Sequence, residues 1–212
     1  MNEKEICKHL DLKFKEFLQL IECQELLDAL KERLYFAGGC IYCLRNDKPV
    51  KDYDLFLTDG DIIEDLKKLD IWSYTSDYAL TYGKFQIVIK YFGEPQECVG
   101  QFDFKHNMHY YIPESSKIKC AYLDELFEIA DESFKPYDEI DFDDFRYLDT
   151  NELHFNENRA RDIEGVYLRI KKFTDRGMKI SKETKKKIKK RTSRKAVKQY
   201  KKSRHHGNRN CY

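Results

Sequence analysis

The stretch from residue 34 to residue 57 limits what this chain can fold into more than any other. The apolar run Leu34-Tyr35-Phe36-Ala37 stops at Gly38-Gly39, and Asp52, in Lys51-Asp52-Tyr53-Asp54, stands thirteen residues beyond Gly39. The first run reads as a short buried strand. The glycine pair ends it, residues 40–45 resume as a short helix, and Asn46-Asp47-Lys48-Pro49 makes a turn. Tyr53-Asp54-Leu55-Phe56-Leu57 then alternates as a second strand. Side chains two apart in a strand point to one face, so Asp52 and Asp54 share a side. Paired carboxylates suit Mg²⁺ or Mn²⁺, which take oxygen ligands and share them with triphosphate oxygens. A glycine pair between strand and helix lets backbone N–H groups approach phosphate with no Cβ in the way. Together these residues describe a phosphoryl-transfer site.

The rest of the chain surrounds that centre with a mixed sheet. Residues 3–33 carry Leu10, Phe14, Phe17, Leu18, Ile21, Leu26, Leu27 and Leu30 at three-and-four spacing, an amphipathic helical lead-in. Asp59 and Asp61 are placed to cap a helix over 62–69. Aromatic and β-branched runs at 72–75, 78–82, 85–91 and 101–104 predict strands, with Gly83-Lys84 as a hairpin turn and Pro95 opening a short helix. From residue 122 the pattern turns helical, at 122–130 and 160–176, around an irregular acidic stretch at 137–149. The fold class expected is therefore α+β: a small mixed sheet with helices on one side, then a helical region and a basic tail. The boundaries are a lead-in at 1–33, a catalytic unit at 34–120, a helical region at 121–178 and a tail at 179–212.

Charge is distributed unevenly. The net charge is +1, yet residues 179–212 hold 15 Lys or Arg against the single acid Glu183, a net +14 that leaves −13 for residues 1–178. Such a block is either a solvated tail or a handle for polyphosphate, since each neutralised phosphate releases counterions. Lys185, Lys186, Lys189, Lys190, Arg191 and Arg194 are the candidates for nucleic-acid contact. Residues 181–203 have too few apolar positions for a core face and should be helical only when packed or bound. No run is long and apolar enough for a bilayer span, the first residues lack the order of a secretory signal, and seven scattered cysteines suggest reduced thiols. The expectation is a soluble cytoplasmic protein with no membrane partner.

The order strand, Gly-Gly, short helix, Lys-Asp-Tyr-Asp on a second strand, then a helix after Thr58-Asp59 resembles the polymerase-β-like nucleotidyltransferase superfamily. It is closest in pattern to the class with the bacterial CCA-adding enzymes and poly(A) polymerases, whose signature pairs Gly-Gly with K-D-x-D. Gln101-Phe102-Asp103-Phe104-Lys105-His106-Asn107 resembles that class's R-R-D-F-T-x-N, keeping D-F and Asn but neither arginine nor the Thr. Arg169-Ile170-Lys171-Lys172-Phe173, Gly177 and Ile180 to Thr184 resemble its R-A-x-R-F motif with the following glycine, one residue short. The family's Arg-Asp pair soon after Gly-Gly is absent, Tyr42-Cys43 standing there, and E-D-x-x-R has no counterpart near residues 157–169. The chain thus resembles the small stand-alone nucleotidyltransferases of phages and other mobile elements.

The resemblance implies transfer of a nucleoside monophosphate from an NTP, ATP included, to an acceptor hydroxyl, with pyrophosphate leaving. Asp52, Asp54 and Asp103 would be catalytic and metal-holding. Gly38 and Gly39 would cradle the β- and γ-phosphates, and Arg169 and Lys172 would face nucleotide or acceptor. Lys51 either balances charge beside Asp52 or reaches solvent. The expected acceptor is the 3′ end of an RNA such as tRNA; the alternatives are a protein hydroxyl, or an RNA-binding relative without catalysis. Cys40-x-x-Cys43 lacks a second pair and reads as core. His106, on an aromatic-rich stretch with His109, either approaches the acceptor or phosphate or is a packed or exposed strand residue; His205, His206 and Cys211 read as a solvated end, and the acids at 138–144 as solvated or as partners of the basic tail.

Overall fold

The computed structural model describes residues 1–122, 145–158 and 165–192. Helix α1, Glu3–Leu18, begins on a capping box: the Asn2 side chain accepts from the Glu5 N–H while the Glu5 carboxylate accepts from the Asn2 N–H. Such a cap is worth about 1 kcal/mol. Helix α2 covers Gln24–Arg33 and leads directly into strand β1, Leu34–Ala37. There follow α3 at Gly39–Arg45, β2 at Tyr53–Leu57, α4 at Ile63–Lys68, β3 at Tyr74–Thr75, β4 at Ala79–Tyr82, β5 at Phe85–Val88 and α5 at Pro95–Val99. A single 3₁₀ turn at Lys105–Asn107 precedes β6, His109–Tyr111, and β7, Ile118–Cys120; α6, Val166–Thr174, and α7, Lys182–Thr192, complete the described chain.

The seven strands form one sheet in the order β3-β4-β5-β2-β1-β6-β7. Neighbours run antiparallel except β2 and β5, whose parallel pairing spans the crossover through α4 and the β3–β4 hairpin. Alternation along β2 sorts its side chains. Tyr53, Leu55 and Leu57 join the larger core cluster with Leu80, Phe85 and Ile87, under Ile6, Leu10, Phe14 and Phe17 of α1. Phe56 joins a smaller cluster with Tyr35, Ala37 and Tyr110, to which α5 adds Cys98 and Val99. Asp54 has the parity of Phe56 and therefore faces away from α1. The larger cluster continues through α3 to Phe104, Phe155 and Phe173, so sheet and C-terminal helices share one core.

Several local expectations change. Residues 101–104 form no strand; only Phe104 makes an isolated bridge, to Phe155. The segment is pinned by Asn156, whose side-chain amide donates to the Gly100 and Phe102 carbonyls and whose N–H donates to the Asp103 carbonyl. Asp59 does not cap α4; it pairs with Arg33 at 2.9 Å and accepts from the Asp61 N–H, and α4 has no side-chain cap. Strands β6 and β7 are additions to the sequence reading. The Gly83 turn and the helix opened by Pro95 stand as expected. Helix α7 forms with Thr184 and Ile188 buried, the packed condition foreseen for it. The expected helix at 122–130, but for Tyr122, and the acids at 138–144 lie outside the described residues, as do Arg194, His205, His206 and Cys211.

Candidate active site

Gly38 occupies φ +83°, ψ −143°, a conformation that L side chains rarely adopt, and this turn joins β1 to α3. A Cβ there would lie 3.5 Å from Asp54 Oδ2 and 3.7 Å from the Phe102 ring. The glycine turn is thus directly against the second Asp of the pair. A Cβ on Gly39 would meet Asn107 Oδ1 at 3.9 Å, which brings the 3₁₀ turn to the same place.

Asp52, Asp54 and Asp103 all line a cleft of about 1530 Å³ whose rim also holds Gly38, Gly39, Lys51, Arg169 and Lys172. Asp54's carboxyl is pushed up to about 6, first by burial and second by the Asp52 charge, with Lys172 acting against both. Burial disfavours the ionised form, and the neighbouring Asp52 carboxylate adds repulsion that Lys172 only partly offsets. Hard oxygen donors under mutual repulsion fit a divalent cation. Asp103, 5% exposed, takes the Arg169 guanidinium from α6 as its partner. Among the described residues no three His, Cys, Asp or Glu side chains converge closely enough to hold a metal together. The chain therefore offers the two-carboxylate pair, with Asp103 engaged across the cleft by an arginine.

The opposite wall is basic. Arg169 and Lys172 line the cleft from α6, and Arg176 lines it from the turn that follows; spacings of three and four in a helix give one face. Lys48 joins them from the turn after α3, its ammonium 3.1 Å from the Tyr42 hydroxyl and 4.8 Å from that ring's centroid. Arg176, Lys48 and Lys172 all act on the Cys43 thiol, though burial outweighs them and raises it. Lys48 and Arg176 were not singled out in the sequence. Lys48 sits beside a turn proline and Arg176 beyond a helix end, so no periodicity marks either.

Other candidates resolve into packing. Cys40 is buried, its thiol pushed up by desolvation, and the six described cysteines carry no disulfide. His106 is 1% exposed, set edge-on against Phe173 at 4.7 Å and Tyr42 at 5.0 Å; burial holds it at about 3, so the ring is neutral and packed behind the cleft rather than in it. His109 is buried and hydrogen-bonded to the Tyr122 hydroxyl at 3.0 Å. Lys185, Lys186, Lys189 and Lys190 are exposed on α7. Lys187 of the same helix pairs with Glu157 at 2.7 Å, so part of the basic segment is answered by the body's acids. No helix among the described residues is long and apolar enough to cross a membrane.

Comparison with solved structures finds the same fold in nucleotidyltransferases. The Thermotoga maritima CCA-adding enzyme complexed with tRNA aligns at TM-score 0.50 with 13% identity, over 87% of this chain and 45% of that one. The Bacillus stearothermophilus CCA-adding enzyme in complex with CTP aligns at 0.51 with 16% identity, over 82% and 42%. A CCA-adding enzyme complexed with ATP aligns at 0.50 with 12% identity, over 88% and 49%. The chain spans less than half the length of these enzymes. No curated protein matches the sequence. A family profile, that of the Gabija anti-defense 2 family proteins, matches residues 8–137, which is three fifths of the chain and includes Gly38, Asp52, Asp54 and Asp103. With that much of the sequence matched, on a nucleotidyltransferase-like fold, the chain belongs to the Gabija anti-defense 2 family.

Proposed function

We propose that this protein is a metal-dependent nucleotidyltransferase that moves a nucleoside monophosphate from an NTP to an acceptor hydroxyl, the acceptor being an RNA 3′ end. The observation that carries the reading is Asp54, raised by burial and then by Asp52, directly against a positive-φ glycine turn and facing Lys172 across the cleft. Mg²⁺ or Mn²⁺ held by Asp52 and Asp54 would supply Lewis acidity to the α-phosphate and acidify the attacking hydroxyl. Gly38 and Gly39 leave room for the β- and γ-phosphates, and Lys172, with Lys48 and Arg176 beside it, neutralises them. Asp103 enters through Arg169: the buried carboxylate fixes the guanidinium, which orients nucleotide or acceptor from α6. Lys51 borders the pair at the cleft's edge. The exposed lysines of α7, together with Arg191 and Arg194, would contact acceptor phosphates, which position a substrate without reading its sequence. A cytoplasmic location accords with this chemistry.

Family membership favours one second reading, in which the acceptor hydroxyl belongs to a component of the Gabija system itself. Incubating the full chain and Mg²⁺ with each α-labelled NTP, in turn with RNA and with protein acceptors, tests both. Pyrophosphate release with label on RNA, absent from Asp52→Asn, supports the first. Label on protein selects the second. Absence of release with every NTP and acceptor sinks the enzyme.

A further inference from the structure

The cleft does not end at the metal-binding pair. Cross-strand partners share a face of a sheet, and the register sets Asp54 opposite Gln86, Gln86 opposite Thr81 and Thr81 opposite Tyr74. The Gln86 amide donates to the Thr81 hydroxyl, as side chains on one face must to meet. This row runs outward from Asp54 across three strand spacings, about 14 Å. It ends on Tyr74 of the edge strand, 65% exposed. Beside it the hairpin turn places Tyr78, 59% exposed, on the cleft wall together with Lys90 and Tyr91, and the Lys90 ammonium lies 5.9 Å from the Tyr78 ring centroid.

Large exposed aromatics on an edge strand favour aggregation and call for a reason. Here Tyr74 stands in line with the reacting centre across the sheet, and Tyr78 lines the cleft itself. The cleft that Tyr78 borders holds seven Lys or Arg against four Asp, and two of those four are the proposed metal-binding pair. Asp77 is part of this wall and is outnumbered in it by Lys67 and Lys90. Aromatic faces interleaved with cations beside a polyanion-binding cleft are the recognition chemistry of single-stranded nucleic acid, in which each base stacks and the backbone is neutralised nearby. Tyr82 does not belong: it pairs with Phe85, in register with Tyr53, on the α1 side of the sheet.

We propose that Tyr74 and Tyr78, with Lys90, form a stacking platform that holds the unpaired bases next to the 3′ end of an RNA acceptor as that end enters the cleft. The inference rests on the nucleotidyltransferase reading for its direction and on RNA as the acceptor, but its test needs neither NTP nor metal. Anisotropy of a labelled single-stranded RNA, titrated with the full chain, measures it. Alanine at both positions, Tyr74→Ala with Tyr78→Ala, should weaken binding by about tenfold or more, since stacking is lost at two bases. Phenylalanine at both should bind within about twofold of the unaltered protein, because every aromatic ring presents a face. A fully paired RNA should be indifferent to either change. Both tyrosines are exposed, so an unchanged melting temperature certifies the variants. The platform is overturned if the alanine variant binds single strands as well as the original, if phenylalanine loses as much as alanine, or if the original chain does not bind single strands. A platform confirmed in a protein that transfers nothing would sink the enzymatic reading and leave the binding surface standing; transfer that persists onto protein while RNA binding is absent would do the reverse.

Discussion

The two walls of the cleft are built on different principles. The sheet wall takes Gly38, Gly39, Asp52 and Asp54 from within seventeen consecutive residues, at the turn from β1 into α3 and at the start of β2. The helical wall takes Arg169, Lys172 and Arg176 from more than sixty residues beyond Asp103, the residue that Arg169 engages. One wall is acidic, short of counter-charge and fixed by strand geometry. The other is basic and held to the first by the Arg169–Asp103 pair and by Phe173 in the shared core. Charge of opposite sign on two independently built walls makes the cleft a place for a ligand that carries both signs of need: a cation for the acids and a polyanion for the bases.

Breaking the acidic wall should have the largest effect. On the proposed function, Asp52→Asn or Asp54→Asn removes a ligand of a metal ion whose Lewis acidity would be worth several kcal/mol, so transfer should fall by roughly 10³-fold or more. Initial rates of pyrophosphate release at saturating NTP check it. A fall of only a few-fold would mean that the pair does not bear the chemistry. Removing Lys172 from the basic wall should instead act chiefly on NTP binding.

The same wall carries a pH signature. Asp54 titrates at about 6 against an ordinary 3.8, so the folded state holds that proton more tightly than the unfolded chain. Its contribution to stability is therefore complete below about pH 3.8 and is lost as pH rises through 6. At neutral pH the ionised group costs about 3 kcal/mol at most, an upper bound because cations and water screen it. In metal-free buffer the melting temperature of the original protein should fall between pH 4 and 7 relative to Asp54→Asn, and Mg²⁺ should restore it at pH 7. Activity should fall below about pH 6, as protons compete with the metal for Asp54. If Asp54→Asn follows the original protein across that range, the carboxyl is not strained.

Much of the sheet wall was legible in the sequence because its determinants are local. Alternation over five residues decides which way Asp54 points, and the glycine pair marks a turn only glycine can make. Asn2-x-x-Glu5 is an equally local signal, a capping box. Residues 101–104 misled for the opposite reason. Their aromatic character suits a strand, but Asn156, more than fifty residues away, takes the carbonyls that a neighbouring strand would have used. The same distance hid the pairing of Arg169 with Asp103, since a motif says which residues matter and not what each one touches. Lys48, Arg176 and the tyrosine platform depend on register and on packing across the cleft, which no single window of sequence contains.

The link between the walls can be weighed directly. Arg169→Ala leaves the buried Asp103 carboxylate without its guanidinium, and losing one partner of such a pair costs up to 3–5 kcal/mol when both are buried. Arg169 is partly exposed, which brings the expectation to about 2 kcal/mol. Asp103→Asn in the Arg169→Ala background should recover part of the loss, because the stranded charge is gone. Urea unfolding of the two single variants and the double variant gives the coupling. Strictly additive losses would show that the walls are joined by packing at Phe173 alone.

The smallest effect should come from the far end of the basic wall, and the structure sets where to cut. Thr184 and Ile188 are buried, so a truncation that enters α7 would disturb the core and confuse affinity with folding. Removing residues 193–212 spares that helix while deleting seven Lys or Arg and no acid. If these residues touch an RNA backbone, acceptor KM should rise several-fold at low salt and its salt dependence should flatten, because every phosphate that is no longer neutralised keeps about one condensed counterion. The value of kcat at saturating acceptor should hold, since Asp52, Asp54 and Arg169 are untouched. Lys187 already spends its charge on Glu157, which shows the competing use of such residues: neutralising a body of net −13. Were that the whole role of the tail, truncation would lower melting temperature and solubility and leave KM and its salt slope unchanged. Measuring KM and melting temperature on one truncated preparation at two salt concentrations separates phosphate binding from self-neutralisation, and an unaltered salt slope would confine RNA recognition to the cleft and its tyrosine edge.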